Sequence, residues 1–267
     1  MTAPSISLAR DALHVRRRFL EMHFAAQAGH IGTGLSAIDL LVYLYRRWLR
    51  PTDAFILSKG HGASALYATL HHVGKLTDSE LSTYYKDGTL LPAHPAPRGH
   101  AAIPIATGSL GHGLPVACGV AYARQVIEGG EPRVACMLSD GECNEGSIWE
   151  AAMFAAHHRL QNLLVVIDAN GLQGFGRTTE VLNMEPMADR WRAFGFAVHE
   201  VDGHDFDAID NALRETSLAP TCLIARTVKG KGVSFFEGKL ESHYLPINAA
   251  QLASALDELK QAEARLG

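Results

Sequence analysis

Two short polar clusters, Ser139-Asp140-Gly141-Glu142 and Asp168-Ala169-Asn170-Gly171-Leu172, follow apolar runs at 134–138 and 163–167. Such runs form buried strands, and in open parallel sheets ligands bind beyond the carboxyl ends of the strands. Neighbouring strand ends would bring the Asp140 carboxylate close to the Asn170 amide oxygen. Oxygen donors of that kind suit a hard divalent cation such as Mg²⁺, completed by a backbone carbonyl and phosphate oxygens. Gly141 lets the main chain approach a phosphate, and a helix starting near Glu145 would aim its N–H groups at an anion. Asp-Gly and Asn-Gly are also ordinary turn sequences. Their recurrence on two successive strand ends is what points to a site.

Histidine is the second signal. The chain holds 14 His against 7 Tyr and 3 Trp, and many lie beside glycine in polar clusters, as at His30, His61 and His112. Others have plainer readings. His14, His23, His199 and His204 read as satisfied core residues. His71-His72 and His157-His158 read as helix residues, because adjacent helical positions do not share a face and so cannot chelate one metal. Gly32-Thr33-Gly34-Leu35-Ser36-Ala37 matches a dinucleotide fingerprint, but that motif needs a strand just before its first glycine. The residues preceding it here have a helical pattern.

The elements that must position these groups follow from hydrophobic spacing. Residues 7–28 predict a helix with Leu13, Leu20 and Phe24 on one face and Arg16–Arg18 turned mainly outward. Gly29-His30-Ile31-Gly32 stops it, and a second helix is predicted over 36–49. A short strand at 54–57 feeds a helix at 63–72. Residues 75–107 read as one long loop with a small helix near 78–85. Further strands at 197–201 and 222–225 alternate with helices at 146–158, 186–194 and 207–217, and a last helix covers 249–266. Largely apolar strands alternating with helices specify an α/β fold: a doubly wound, mostly parallel sheet with helices on both faces. No linker or repeat divides residues 1–267, so a single domain is expected.

The bulk numbers agree. At 267 residues and 47% hydrophobic content the chain can bury a large core. A net charge of −4 gives no electrostatic case for nucleic acid. There is no apolar run of about 18 residues and no signal-peptide pattern, so neither a membrane span nor export is expected. Cys118, Cys136, Cys143 and Cys222 lack paired spacing and read as reduced core thiols, consistent with a cytoplasmic protein.

An Asp-Gly followed about thirty residues later by Asn after an apolar strand resembles the thiamine diphosphate motif. Ser139 stands where the family's form usually opens with Gly. Further segments resemble the transketolase family in order and spacing: Ala28-Gly29-His30-Ile31-Gly32, Leu57-Ser58-Lys59-Gly60-His61-Gly62, His94-Pro95, Thr107-Gly108-Ser109-Leu110-Gly111-His112-Gly113, and Arg226-Thr227-Val228-Lys229-Gly230-Lys231-Gly232 with His243. The resemblance covers essentially the whole chain and implies a thiamine-diphosphate-binding fold of the diphosphate-binding type. It implies that Asp140, Asn170 and the Leu172 carbonyl hold a metal, Mg²⁺ or in its place Ca²⁺ or Mn²⁺. Gly141, Glu142, Asn170, His61 and His243 would lie at the diphosphate, and Gly108, Ser109 and Leu110 against the aminopyrimidine. His30, His61, His94 and His243 would ring a sugar's hydroxyls, work that suits neutral imidazole because one nitrogen donates while the other accepts. Glu145 would belong to a buried acidic network joining two active sites.

The same resemblance implies an incomplete site. In the family, a glutamate on a pyrimidine-binding domain activates the cofactor, and that domain and a C-terminal domain normally follow this one. They are expected on a partner chain, a C-terminal transketolase subunit, in an α₂β₂ assembly. The implied reaction moves a two-carbon ketol unit from a ketose, as a sugar phosphate, to an aldose. Lys86-Asp87-Gly88-Thr89-Leu90-Leu91 stands where full-length members often carry an Arg and a Gly-Ser pair. Xylulose 5-phosphate is therefore the default donor only, and another pentulose phosphate or a sulfonated ketose fits the sequence equally well. The competing readings are the α subunit of a 2-oxo-acid dehydrogenase, which has no use for four sugar-facing histidines, and an inert regulatory relative, which would have lost its ligands.

Overall fold

The computed structural model describes residues 1–215 and 217–267. Helix α1 (Ala3–Ala26) is opened by Thr2, whose hydroxyl accepts from the Ser5 N–H, with proline in the first turn where its missing N–H costs nothing. Its buried face carries Leu8, Ala12, Val15, Phe19 and Leu20, and it also buries Arg16. That corrects the expectation that Arg16 turns outward. Its guanidinium is paired with Asp39 through two contacts at 2.9 and 2.6 Å, and His204 Nδ1 lies 2.6 Å from the same carboxylate. Burial alone would push the Asp39 carboxyl up, but the charges and hydrogen bonds of Arg16 and His204 together outweigh it and hold the group below its ordinary range.

Helix α2 (Ile31–Tyr43) begins before the predicted Ser36. Glycine is a poor helix former, so Gly32 and Gly34 mask the start. Packing overrides propensity there, since a Cβ on Gly34 would collide with the Phe19 ring and one on Gly32 with Ser242. Strand β1 (Ala54–Leu57) and helix α3 (Ala63–His72) follow, then the short α4 (Asp78–Leu81) within the long loop. Helix α5 (Gly113–Tyr122) lies in a region for which the sequence reading assigns no element. Next come β2 (Val134–Ser139), α6 (Gly146–His157) and β3 (Leu163–Ala169). A small hairpin, β4 (Leu172–Gln173) with β5 (Gly176–Arg177), is likewise absent from the sequence reading. The chain continues through α7 (Thr178–Val181), α8 (Met187–Ala193), β6 (Ala197–Asp202), α9 (Phe206–Arg214), β7 (Thr221–Arg226) and α10 (Ala249–Ala264). The predicted helix over 207–217 reaches position 216, which lies outside the described residues.

The main sheet runs β1-β2-β3-β7-β6 with every pairing parallel. Its central strands are buried on both faces, which is why they read as unbroken apolar runs. Ala135, Met137, Leu164, Val166, Leu223 and Ala225 pack toward α1, α2, α3, α9 and α10. Cys136, Leu138, Leu163, Val165, Ile167, Cys222 and Ile224 pack toward α5, α6 and α8. All four cysteines are free and buried in this second layer, and burial pushes the Cys118 thiol up to about 12. None of the helices is long and apolar enough to cross a membrane among the described residues.

The core histidines divide. His23 is fully buried and satisfied, with Nδ1 3.1 Å from the Ala28 carbonyl and Nε2 2.8 Å from the Ser64 hydroxyl. His204 is satisfied by Asp39 and by the Val228 N–H. His14 is a correction, being exposed and lying against Glu263. His199 is only half-buried, because it lies on edge strand β6.

Candidate active site

The carboxyl ends of β1, β2, β3 and β7 open onto one pocket of about 320 Å³. It is lined by His30, His61, His94, Gly108, Leu110, Asp140, Gly141, Asn170, Leu172 and His243, all named from sequence. Asp140 leaves the end of β2; one carboxylate oxygen accepts the Gly141 N–H (2.8 Å) and the other the Gly171 N–H (2.7 Å). This binds the two strand ends to each other. Burial, with the Asp168 carboxylate nearby, outweighs those hydrogen bonds and pushes the Asp140 carboxyl up to about 6. It is a buried anion without an adequate counter-charge. Asn170 Oδ1 accepts from Leu172 N–H (3.2 Å), and the Leu172 carbonyl accepts from the Lys229 ammonium (3.1 Å).

The four histidines converge. The ring of His30 lies 5.1 Å from that of His243, 5.7 Å from His61 and 6.2 Å from His94. His61 and His243 are 5.8 Å apart. His30 has φ of 63°, a left-handed conformation uncommon outside glycine, and its N–H donates to the His243 carbonyl at 3.0 Å. The backbone therefore holds the ring over the pocket at a conformational cost. Burial lowers all four imidazoles, helped at His30 by His94, at His61 by Lys59 and at His243 by Lys229. His243 falls to about 4, so the pocket presents neutral imidazoles at neutral pH.

Three residues named from sequence are placed elsewhere. Glu142 is fully buried beneath the glycine loop, not on the pocket wall. It accepts from Ser58 Oγ (2.5 Å), Gly111 N (2.9 Å) and Ser139 N (3.3 Å), and so joins β1, β2 and the 107–113 loop. Ser109 is exposed and off the pocket wall. Glu145 stands at the N-cap position of α6 without a side-chain capping hydrogen bond and is exposed, not buried.

Residues the sequence reading gave no role complete the site. Lys229 is buried, with its Nζ 2.9 Å from His243 Nδ1, and its pKa is lowered to about 8 by burial and by the Lys59 charge. Lys59 is wholly buried and pairs with Asp168, which also accepts from Ser36 Oγ (2.6 Å) and Thr227 Oγ1. Thr33, Ser139, Gln173, Gly174, Phe175 and Tyr244 line the remaining wall. Lys59 and Lys229 sit inside motifs quoted above, but a lysine read alone is assigned to the surface.

Among the described residues, no three His, Cys, Asp or Glu side chains converge as a metal site. The donor set available is one carboxylate, one amide oxygen and one carbonyl. That all-oxygen set, without thiolate or imidazole, is unlike a zinc site and would suit Mg²⁺ sharing its remaining positions with phosphate oxygens. The uncompensated Asp140 and the ammonium resting on the Leu172 carbonyl both accord with a cation and an anion sharing this spot.

A doubly wound sheet with hard-oxygen donors, glycine turns and cationic side chains at its strand ends is an arrangement suited to an anionic, phosphate-bearing ligand. Residues 11–263 match the family model described as "Transketolase, thiamine diphosphate binding domain", and the chain belongs to the transketolase family. It is 38% identical to the 6-deoxy-6-sulfo-D-fructose transketolase subunit SqwG of Clostridium sp. (strain MSTE9), covering 98% of this chain and 99% of that one. It is 37% identical to one of the named subunits of the apulose-4-phosphate transketolase of Actinobacillus succinogenes, covering 95% and 96%. The solved transketolase of Campylobacter jejuni subsp. jejuni superposes with a TM-score of 0.84 at 26% identity, over 100% of this chain but 48% of that one. The chain thus spans about half of a solved transketolase and nearly all of two relatives named as subunits.

Proposed function

We propose that this chain is the cofactor-binding subunit of a two-chain transketolase that moves a two-carbon ketol unit from an anionic ketose to an aldose. The convergence of four neutral histidines above the Asp140–Asn170–Leu172 donor set carries this reading. Thiamine diphosphate, when bound, supplies a nucleophilic carbon that takes up the two-carbon unit and passes it on. Asp140, Asn170 and the Leu172 carbonyl would hold Mg²⁺, while Gly141, His61, Lys229 and His243 would meet the diphosphate. His30 and His94 line the same pocket, where they would exchange protons with the ketose hydroxyls and its developing oxyanion. A small 2-oxo acid has no hydroxyls to occupy this quartet, which argues against the dehydrogenase reading.

The partner subunit would cover the cofactor rings and contribute the activating glutamate in an α₂β₂ assembly. Exposed apolar side chains on α5 and α6, Val116, Met153 and Phe154, support a protein interface along these helices, the second of which starts at the exposed Glu145. Relatives named for a sulfonated ketose and for apulose 4-phosphate make those two sugar classes the first donors to test. Ketol transfer from each donor, followed with the partner present, tests the proposal. His94→Ala should lower kcat by about 100-fold or more, the scale of a lost proton-transfer group, with thiamine diphosphate affinity nearly intact. Loss of cofactor binding in that variant would move His94 to the diphosphate side of the pocket and contradict the assignment.

A further inference from the structure

We infer that Tyr244 is a positioning residue, a latch that fixes the β4–β5 hairpin over the diphosphate side of the pocket. The inference rests on the functional reading above for its cofactor, and on geometry for the latch. Three segments that carry site groups meet at Tyr244. Its hydroxyl donates to the Gly174 carbonyl at 2.5 Å, on the hairpin that also carries the Leu172 carbonyl. Its own carbonyl lies so close to Gly29 that a Cβ there would meet it at 2.5 Å. Next to it, the His243 carbonyl accepts the His30 N–H.

Position 174 fits the tyrosine by having no side chain, because a Cβ at Gly174 would lie 2.7 Å from the Tyr244 hydroxyl and 3.4 Å from His243 Nε2. The base of the hairpin is also held, by Lys229 Nζ on the Leu172 carbonyl (3.1 Å) and by Gln173 Nε2 on Asn144 Oδ1 (2.9 Å), whereas Tyr244 grips it nearer the tip. The hairpin's strands are two residues each, and Phe175 at its tip is 89% exposed. Two-stranded hairpins of that size are not stable on their own. The Tyr244 hydrogen bond therefore has leverage over the hairpin's tip, and through it over how fast a bound diphosphate can leave.

The test compares wild type with Tyr244→Phe, which removes the hydroxyl and keeps the ring, and with Gly174→Ala, which pushes the ring away. Amide hydrogen exchange of residues 173–177, measured without cofactor, should quicken several-fold in both variants. Thiamine diphosphate should dissociate about 2- to 10-fold faster from each variant reconstituted with its partner, the range of one neutral hydrogen bond. Unchanged exchange overturns the latch, and quickened exchange with an unchanged dissociation rate overturns its role in retaining cofactor. If wild type binds no thiamine diphosphate at all, the functional reading fails, and the cofactor-free exchange comparison still decides whether Tyr244 holds the hairpin.

Discussion

Asp140→Asn weakens thiamine diphosphate binding by more than about 100-fold and leaves the cofactor-free chain close to wild type in stability. Removing groups that merely orient a metal ligand costs about 10–100-fold in affinity, so losing the one carboxylate in this donor set costs more. Stability behaves differently because the carboxylate is a burden without a cation. With its pKa raised to about 6, its ionised form costs the fold on the order of 2–3 kcal/mol at neutral pH. An amide removes that cost but can accept only one of the two N–H groups, from Gly141 and Gly171, that the carboxylate satisfies. The two effects oppose each other at similar size. Calorimetric titration and thermal melting check both halves, and wild-type affinity in the variant would remove Asp140 from the metal site.

Lys59→Met has the opposite signature, a large loss of stability whether or not cofactor is present. Lys59 and Asp168 are both fully buried. Burial by itself would raise the Asp168 carboxyl, and the Lys59 charge, with the hydrogen bonds from Lys59, Ser36 and Thr227, holds it below the ordinary range. Removing the lysine strands a carboxylate with only the Ser36 and Thr227 hydroxyls. Breaking a buried pair from one side costs about 3–5 kcal/mol, or roughly 10 °C in a chain of this size. Adding Asp168→Asn should restore more than half of the loss, because the stranded charge disappears with it. A single variant that melts with wild type would mean that the pair is not the electrostatic centre of this sheet end.

Much of the fold is legible in the sequence because parallel strands buried on both faces must be nearly all apolar. The runs at 134–138 and 163–167, short and bounded by turn residues, read as buried strands, and Asp140 and Asn170 follow from their ends. Helix α5 left a fainter trace: its buried residues Leu114, Ala117, Cys118 and Ala121 have helical spacing, but Gly113, Pro115 and Gly119 obscure it. The hairpin could not be read, since two-residue strands carry no periodicity. Arg16, Lys59 and Lys229 were hidden for a different reason. A basic residue becomes a core residue only through a partner distant in the chain, Asp39 for Arg16 and Asp168 for Lys59, and local spacing does not report such pairs. The histidine quartet was legible only through resemblance to a family, as four separate segments bring it together.

Reconstitution asks most simply whether this chain holds the cofactor but needs a second chain to use it. Ketol transfer would be measured with thiamine diphosphate and Mg²⁺, using this chain alone and this chain with the product of the adjacent reading frame. Transfer is expected only in the mixture, and Asp140→Asn in this chain should abolish it. Transfer by this chain alone would contradict the two-chain site, because every group needed to activate the cofactor would then lie within these 267 residues.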